Sequence, residues 1–103
     1  METYDPILDA LGDRTRRAVL ERLREGPKAV VEIARGLPIS RPAVSQHLKV
    51  LKEAGLVVDR EVGTRRIYEV NPAGLSALQQ YLERQWAEVL AGFQAHVDKG
   101  EKG

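Results

Sequence analysis

Three features predict a mainly α fold carrying a small β-hairpin: a helix at residues 40–54 split into one apolar and one polar face, two β-rich runs directly behind it, and helical stretches on either side. The predicted order is α-α-α-α-β-β-α. A short helix, a tight turn containing glycine and a polar-faced helix make a helix-turn-helix, and a hairpin placed directly after it makes a winged helix-turn-helix. The 103 residues, 43% of them hydrophobic, suit one globular domain with one modest core.

Taken in order, residues 5–11 read as a short helix with Ile7, Leu8 and Leu11 on one face. Gly12 ends it, and Asp13 can cap the next helix, residues 14–24, whose apolar side is Val19, Leu20 and Leu23. Gly26-Pro27 stops that helix, and a third runs over residues 30–35, with Val30, Ile33, Ala34 and Leu37 available to a core. Residues 36–39, Gly-Leu-Pro-Ile, turn into the fourth helix. Ser40 is its N-cap, and Pro42 falls in the first turn, where a missing N–H costs little. Gly55 closes it as a left-handed cap would. Residues 56–58 open a strand, 62–64 supply a turn around Gly63, and 65–70 form a second strand rich in β-branched and aromatic residues. Asn71-Pro72 starts a last helix, and residues 99–103 are expected to be a disordered tail. The domain thus spans 1–98 around a winged-helix core at 14–70.

The fourth helix carries the chemistry. Each residue advances about 100° around the axis, which gathers Ala43, Val44, His47, Leu48, Val50, Leu51 and Ala54 on one side. Arg41, Pro42, Ser45, Gln46, Lys49, Lys52 and Glu53 fall on the other. That polar side is rich in the donors and acceptors that read base edges and phosphates and has a single acid. Arg60, Arg65 and Arg66, with Thr64, lie along or near the wing tip, where arginine can enter a minor groove; they are expected to share the direction of the 40–54 helix.

Charge distribution agrees. The net charge is only +1, but residues 1–13 hold four acids and no base, while residues 14–70 hold 13 Arg or Lys against seven acids, a net +6. The electropositive middle is what a phosphate-facing surface requires. The first ten residues are acidic where a signal peptide would be basic and then apolar, and no apolar run approaches the roughly 20 residues that span a bilayer. With no cysteine there is no disulfide or thiolate metal site, so a cytoplasmic protein without a membrane partner or cofactor is expected. An enzyme finds no nucleophile–base constellation, Gly-rich phosphate loop or usefully spaced carboxylate pair.

In the last helix Leu75, Leu78, Leu82, Trp86 (or Gln85), Val89, Phe93 and Val97 recur by threes and fours, a near-heptad seam. A winged-helix core does not need this helix. Leu78, Leu82, Trp86, Val89 and Phe93, with Ile7, Leu8 and Leu11, would leave a large apolar patch on a monomer, which pairing of two chains removes. The alternative is a helix folded back on its own domain.

With these residues in place the chain resembles the ArsR-type (ArsR/SmtB) transcriptional regulators. The matching stretches are ALGDRTRRAVLERL, VVEIARGLPISRPAVSQHLKVLKEAGLV and GTRRIYEVNPAGL, covering roughly residues 10–75. The resemblance implies a dimeric repressor of double-stranded DNA, bound to imperfect palindromes near its own promoter through the second helix of the motif and the wing. Carried over by position, Arg41, Ser45, Gln46 and Lys49 would face the groove and Arg65 and Arg66 would be the wing contacts.

Three departures stand out. A Cys pair that many such regulators place on the short helix is replaced by Val31-Glu32-Ile33-Ala34-Arg35. The paired Asp and His ligands of others reduce to His96 and Asp98 on the last helix, where a two-subunit metal site competes with a simple interaction of His96 with the helix dipole. Arg14 and Ala29 stand where similar sequences carry Pro and Ser or Thr at helix starts. His47, in the apolar arc, is expected to pack and hydrogen-bond, a pH switch or metal ligand being the alternative. A winged-helix protein–protein module is the competing function; it predicts an apolar or acidic face, which the polar helix and basic wing oppose. An unidentified small-molecule effector is a third expectation.

Overall fold

A computed structural model describes residues 5–102, with side chains described for residues 6–97; Met1–Tyr4 and Gly103 lie outside it. Helices α1 (Asp5–Ala10), α2 (Arg14–Arg22), α3 (Val30–Arg35) and α4 (Arg41–Glu53) precede strands β2 (Val57–Val62) and β3 (Arg65–Val70) and the long α5 (Pro72–Lys102). The winged helix-turn-helix expected from the sequence is present. Two details differ early in the chain. The second helix ends at Arg22 and tightens into a 3-10 turn, Leu23–Glu25, before Gly26-Pro27. A two-residue strand β1 (Lys28–Ala29) follows, which residue patterning did not reveal because two residues carry no periodicity.

The strands form one antiparallel sheet in the order β1-β3-β2. Val57 faces Val70 and Val62 faces Arg65, so Gly63 and Thr64 form a two-residue loop. Lys28 pairs with Tyr68 and Ala29 with Ile67, which fastens the start of α3 to the wing.

The core draws on nearly every element: Ile7 and Ala10 from α1, Val19 from α2, Leu23, Ile33 from α3, Val44, Leu48 and Leu51 from α4, then Leu56 and Val57. Burying an aliphatic side chain of this size is worth about 1.5–3 kcal/mol, and three such residues pin α4.

The end of α4 sets where the wing begins. Gly55 adopts φ 82°; its N–H donates to Lys52 O at 3.0 Å and the Leu56 N–H to Leu51 O at 2.9 Å. This is the left-handed Schellman ending, with buried Leu51 and Leu56 as its apolar contact. The first turn of α5 closes on the same spot. Asn71 caps it by accepting from the Ala73 N–H at 3.2 Å while its Nδ2 donates to Gly55 O at 2.9 Å. Gly74 packs so closely there that a Cβ would fall 2.0 Å from Gly55 O. The backbone of α5 is helical through Lys102, so residues 99–102 are helix where a disordered tail was expected; no proline interrupts them. The side chains from Asp98 onward lie outside those described, including that candidate ligand. No helix among the described residues is long and apolar enough to cross a membrane.

Candidate nucleic-acid interface

The fourth helix sorts its side chains as its periodicity dictates. Ser40 Oγ accepts from the Ala43 N–H at 3.3 Å, and Pro42 occupies the first turn. Val44, Leu48 and Leu51 are fully buried. Ser40, Arg41, Pro42, Ser45, Gln46, Lys49 and Lys52 are all exposed. From Arg41 to Lys52 the polar stripe runs about 16 Å along the axis, long enough to lie in a major groove about 12 Å wide.

His47 takes the packing role. It is half-buried, and its Nδ1 accepts from Arg16 Nε at 3.3 Å. Arg16 Nη1 also donates to Ala10 O at 3.3 Å. Asp13 caps α2 by accepting from the Arg16 N–H at 3.0 Å, and that bond, aided by the guanidinium, lowers its carboxyl pKa against a smaller desolvation. The turn between α3 and α4 encloses a cleft of about 430 Å³ lined by Arg35, Ser40 and Arg41 with Val31, Ala34 and Ile39. Arg35, exposed there, was not singled out from the sequence; its position on a short helix outside the polar stripe gave no signal.

In the wing, all four of Arg60, Thr64, Arg65 and Arg66 are exposed. They do not share one direction, because successive residues of a strand point to opposite faces. Arg65 lies on the face of Arg60, with its Nη2 at 3.1 Å from Glu32 Oε1 on α3. Arg66 lies on the other face, with its Nη1 at 3.0 Å from Asp59 Oδ2 and its Nη2 at 3.7 Å from Glu61. Lys52 Nζ meets the second oxygen of Asp59 at 2.9 Å, and Arg60 pairs with Glu69. The hydrogen bond from Lys52, then that from Arg66, holds the Asp59 carboxyl below its ordinary pKa despite desolvation. Glu32 is lowered chiefly by the Ala29 N–H, which its Oε1 accepts at 2.8 Å, and further by Arg65, Lys28 and Arg35. That bond is the Glu32 half of a capping box; the other half, a side-chain oxygen at position 29 accepting from the Glu32 N–H, is beyond alanine.

The apolar residues expected at a subunit interface divide. Ile7 is only 3% exposed and belongs to the chain's own core, so it has almost no surface left for a partner. Leu11 and Leu78 are half-buried. Leu8, Leu82, Trp86, Val89 and Phe93 remain exposed, the last four by half or more, and Leu90, which the near-heptad count skipped, joins them. Leu75, Leu78, Leu82 and Trp86 line an apolar groove of about 390 Å³ along α5. His96 is exposed.

Residues 11–60 match a family model described as a helix-turn-helix domain. The HTH-type transcriptional regulator Rv2034 of Mycobacterium tuberculosis is 56% identical over 101 residues, 95% of this chain and 94% of the relative. Among solved structures, an ArsR-like transcriptional regulator from Rhodococcus sp. RHA1 superposes with a TM-score of 0.88 at 31% identity, covering 98% of this chain and 93% of the other. The homodimeric winged helix-turn-helix DNA-binding domain of Mb0332 from Mycobacterium bovis gives a TM-score of 0.68 at 28% identity, with 85% and 82% covered.

Proposed function

The chain belongs to the ArsR family of winged helix-turn-helix transcriptional regulators, and on that footing we propose that it is a homodimeric repressor reading a palindromic operator through α4 and the β2–β3 wing. The family is one of DNA-binding regulators and not of enzymes. The observation that carries the reading is the exposed row Arg41, Ser45, Gln46 and Lys49 above the fully buried Val44, Leu48 and Leu51. Arg41, Ser45 and Gln46 have the forked or paired donors and acceptors that suit base edges. Ser40, Pro42, Lys49 and Lys52 border the phosphates, while Arg60, Thr64, Arg65 and Arg66 bring the wing to the adjacent backbone and minor groove.

Residues 1–98 act as one unit in this reading, with the second copy docked along Leu8, Leu11, Leu78, Leu82, Trp86, Val89, Leu90 and Phe93. The homodimeric state of the Mb0332 domain and the exposure of the α5 seam support it. Two-fold symmetry places inverted half-sites one or two helical turns apart, and occupancy of a promoter in the cytoplasm excludes the polymerase by occlusion.

The test is enrichment of a preferred duplex from a random pool, then titration of that duplex and a scrambled version at two salt concentrations. Expected is tighter binding to the enriched duplex at both, and Gln46→Ala should lose about 1–3 kcal/mol of discrimination at one base position. Equal binding to both duplexes, with Gln46→Ala indistinguishable from the parent, would refute the docking.

A further inference from the structure

Asp59 sits where the two reading elements meet. It is the third residue of β2, and its side chain is only 8% exposed. One oxygen receives Lys52 from the last turn of α4 at 2.9 Å, and the other receives Arg66 from β3 at 3.0 Å. Lys52 and Arg66 are themselves 54% and 46% exposed, so what sets this site apart from the remaining wing pairs is its carboxylate. Glu32 and Glu69, which meet Arg65 and Arg60, are 42% and 33% exposed, and Glu61, the second partner of Arg66, is 74% exposed. Water replaces such contacts at little cost. An enclosed carboxylate shared by cations on two elements behaves as a strut, because a shift of the wing lengthens or bends charge-assisted bonds whose strength falls steeply with geometry.

We infer that Asp59 is a positioning residue that determines DNA specificity: by tying Lys52 to Arg66 it fixes the wing against α4, so that both elements meet one stretch of duplex together. The inference rests on the DNA-reading function proposed above. Two contacts held at a fixed spacing reinforce each other, since binding of the first places the second at high effective concentration. The same carboxylate keeps two cations occupied, which restrains attraction to phosphate of any sequence.

These two consequences respond to loss of Asp59 with opposite signs, which makes the role testable. Asp59→Asn in the full chain keeps the shape and removes one negative charge per protomer. The probes are the duplex that the parent protein enriches from a random pool and a scrambled version of it. Affinity for the scrambled duplex should rise roughly two- to fivefold at low salt, with the salt dependence steeper by about 0.9 per protomer. Affinity for the enriched duplex should fall, so that the ratio of the two drops roughly tenfold, as a misplaced wing loses about one base-contact's worth of discrimination. Asp59→Glu, which keeps the charge, should recover part of the ratio. A rise in both affinities would reduce Asp59 to its charge, and a fall in both with a lowered melting temperature would reduce it to the fold; either overturns the inference. If the parent protein enriches no sequence, the DNA-reading function itself fails and takes this inference with it. Enrichment by the parent with an unchanged ratio in Asp59→Asn removes the positioning role alone.

Discussion

The recognition helix and the wing hold their cations in opposite states. On α4, Arg41 and Lys49 are exposed and have no ion-pair partner among the described residues. On the wing, Arg60, Arg65 and Arg66 each have a carboxylate within reach, and Lys52, at the end of α4 nearest the wing, is paired as well. The two regions are also held differently: α4 by three fully buried aliphatic side chains along its length, the wing by strand pairing, charge and the apolar residues at its base, buried Val57 with Tyr68 and Val70. The difference teaches that formal charge near a duplex is not the charge available to it. In the proposed reading the helix would offer attraction and base-reading groups, and the wing placement.

The largest expected effect tests how the helix is held. Leu48→Ala should cost about 2–5 kcal/mol of unfolding free energy, the usual loss for truncating an enclosed leucine, read as a lowered denaturant midpoint. Thr64→Ala at the wing tip, where the side chain is exposed, should stay within about 0.5 kcal/mol of the parent. A Leu48→Ala loss below that level would mean that α4 is not anchored by its core face.

How far this arrangement was legible follows from the same division. The polar and apolar sides of α4 were readable because a helix repeats every 3.6 residues and local spacing decides burial; the residues placed outward all emerge exposed, and Val44, Leu48 and Leu51 lie fully inside. The Asp13, Ser40 and Asn71 caps are local for the same reason. The wing's ion pairs were not read, although part of them was within reach. Once the loop is fixed at Gly63-Thr64, the register sets Glu61 opposite Arg66 and brings Asp59 diagonal to it. The contact from Arg65 to Glu32 joins positions 33 apart through tertiary packing, and no spacing rule predicts it. Strand β1 and the capture of Ile7 by the core were hidden in the same way: each depends on a partner far along the chain.

A smaller effect separates a free cation from a paired one. Lys49→Gln should flatten the dependence of log affinity on log salt by about 0.9 per protomer, as loss of one phosphate contact does. Lys52→Gln should flatten it less, because the Lys52 ammonium is held 2.9 Å from Asp59. Titrations of a scrambled duplex over a salt series read both slopes. Equal changes would show that Lys52 leaves Asp59 when DNA arrives, and the boundary between the two regions would then move to the base of the wing.

The smallest expected effect comes from acid, and it falls on the wing. Asp59 and Glu32 are the carboxylates that hold Lys52, Arg66 and Arg65, and both have pKa values below the ordinary range, Asp59 through its cationic hydrogen bonds and Glu32 chiefly through the Ala29 N–H. A group whose pKa is depressed by folding contributes stability that is complete above its unfolded pKa and is lost as pH falls through the folded one. The loss should therefore begin near pH 4, where free carboxylates titrate, and deepen below it. The Asp13 cap on α2 fades in the same window, but α2 is not a reading element. The apolar burial beneath α4 does not titrate. Amide exchange followed from neutral pH into this window should show protection falling first in β2 and β3 while the Val44–Leu51 segment keeps its own. Loss of both at one pH would mean that the charges of the wing also hold the helix, and that the two regions open as a single unit.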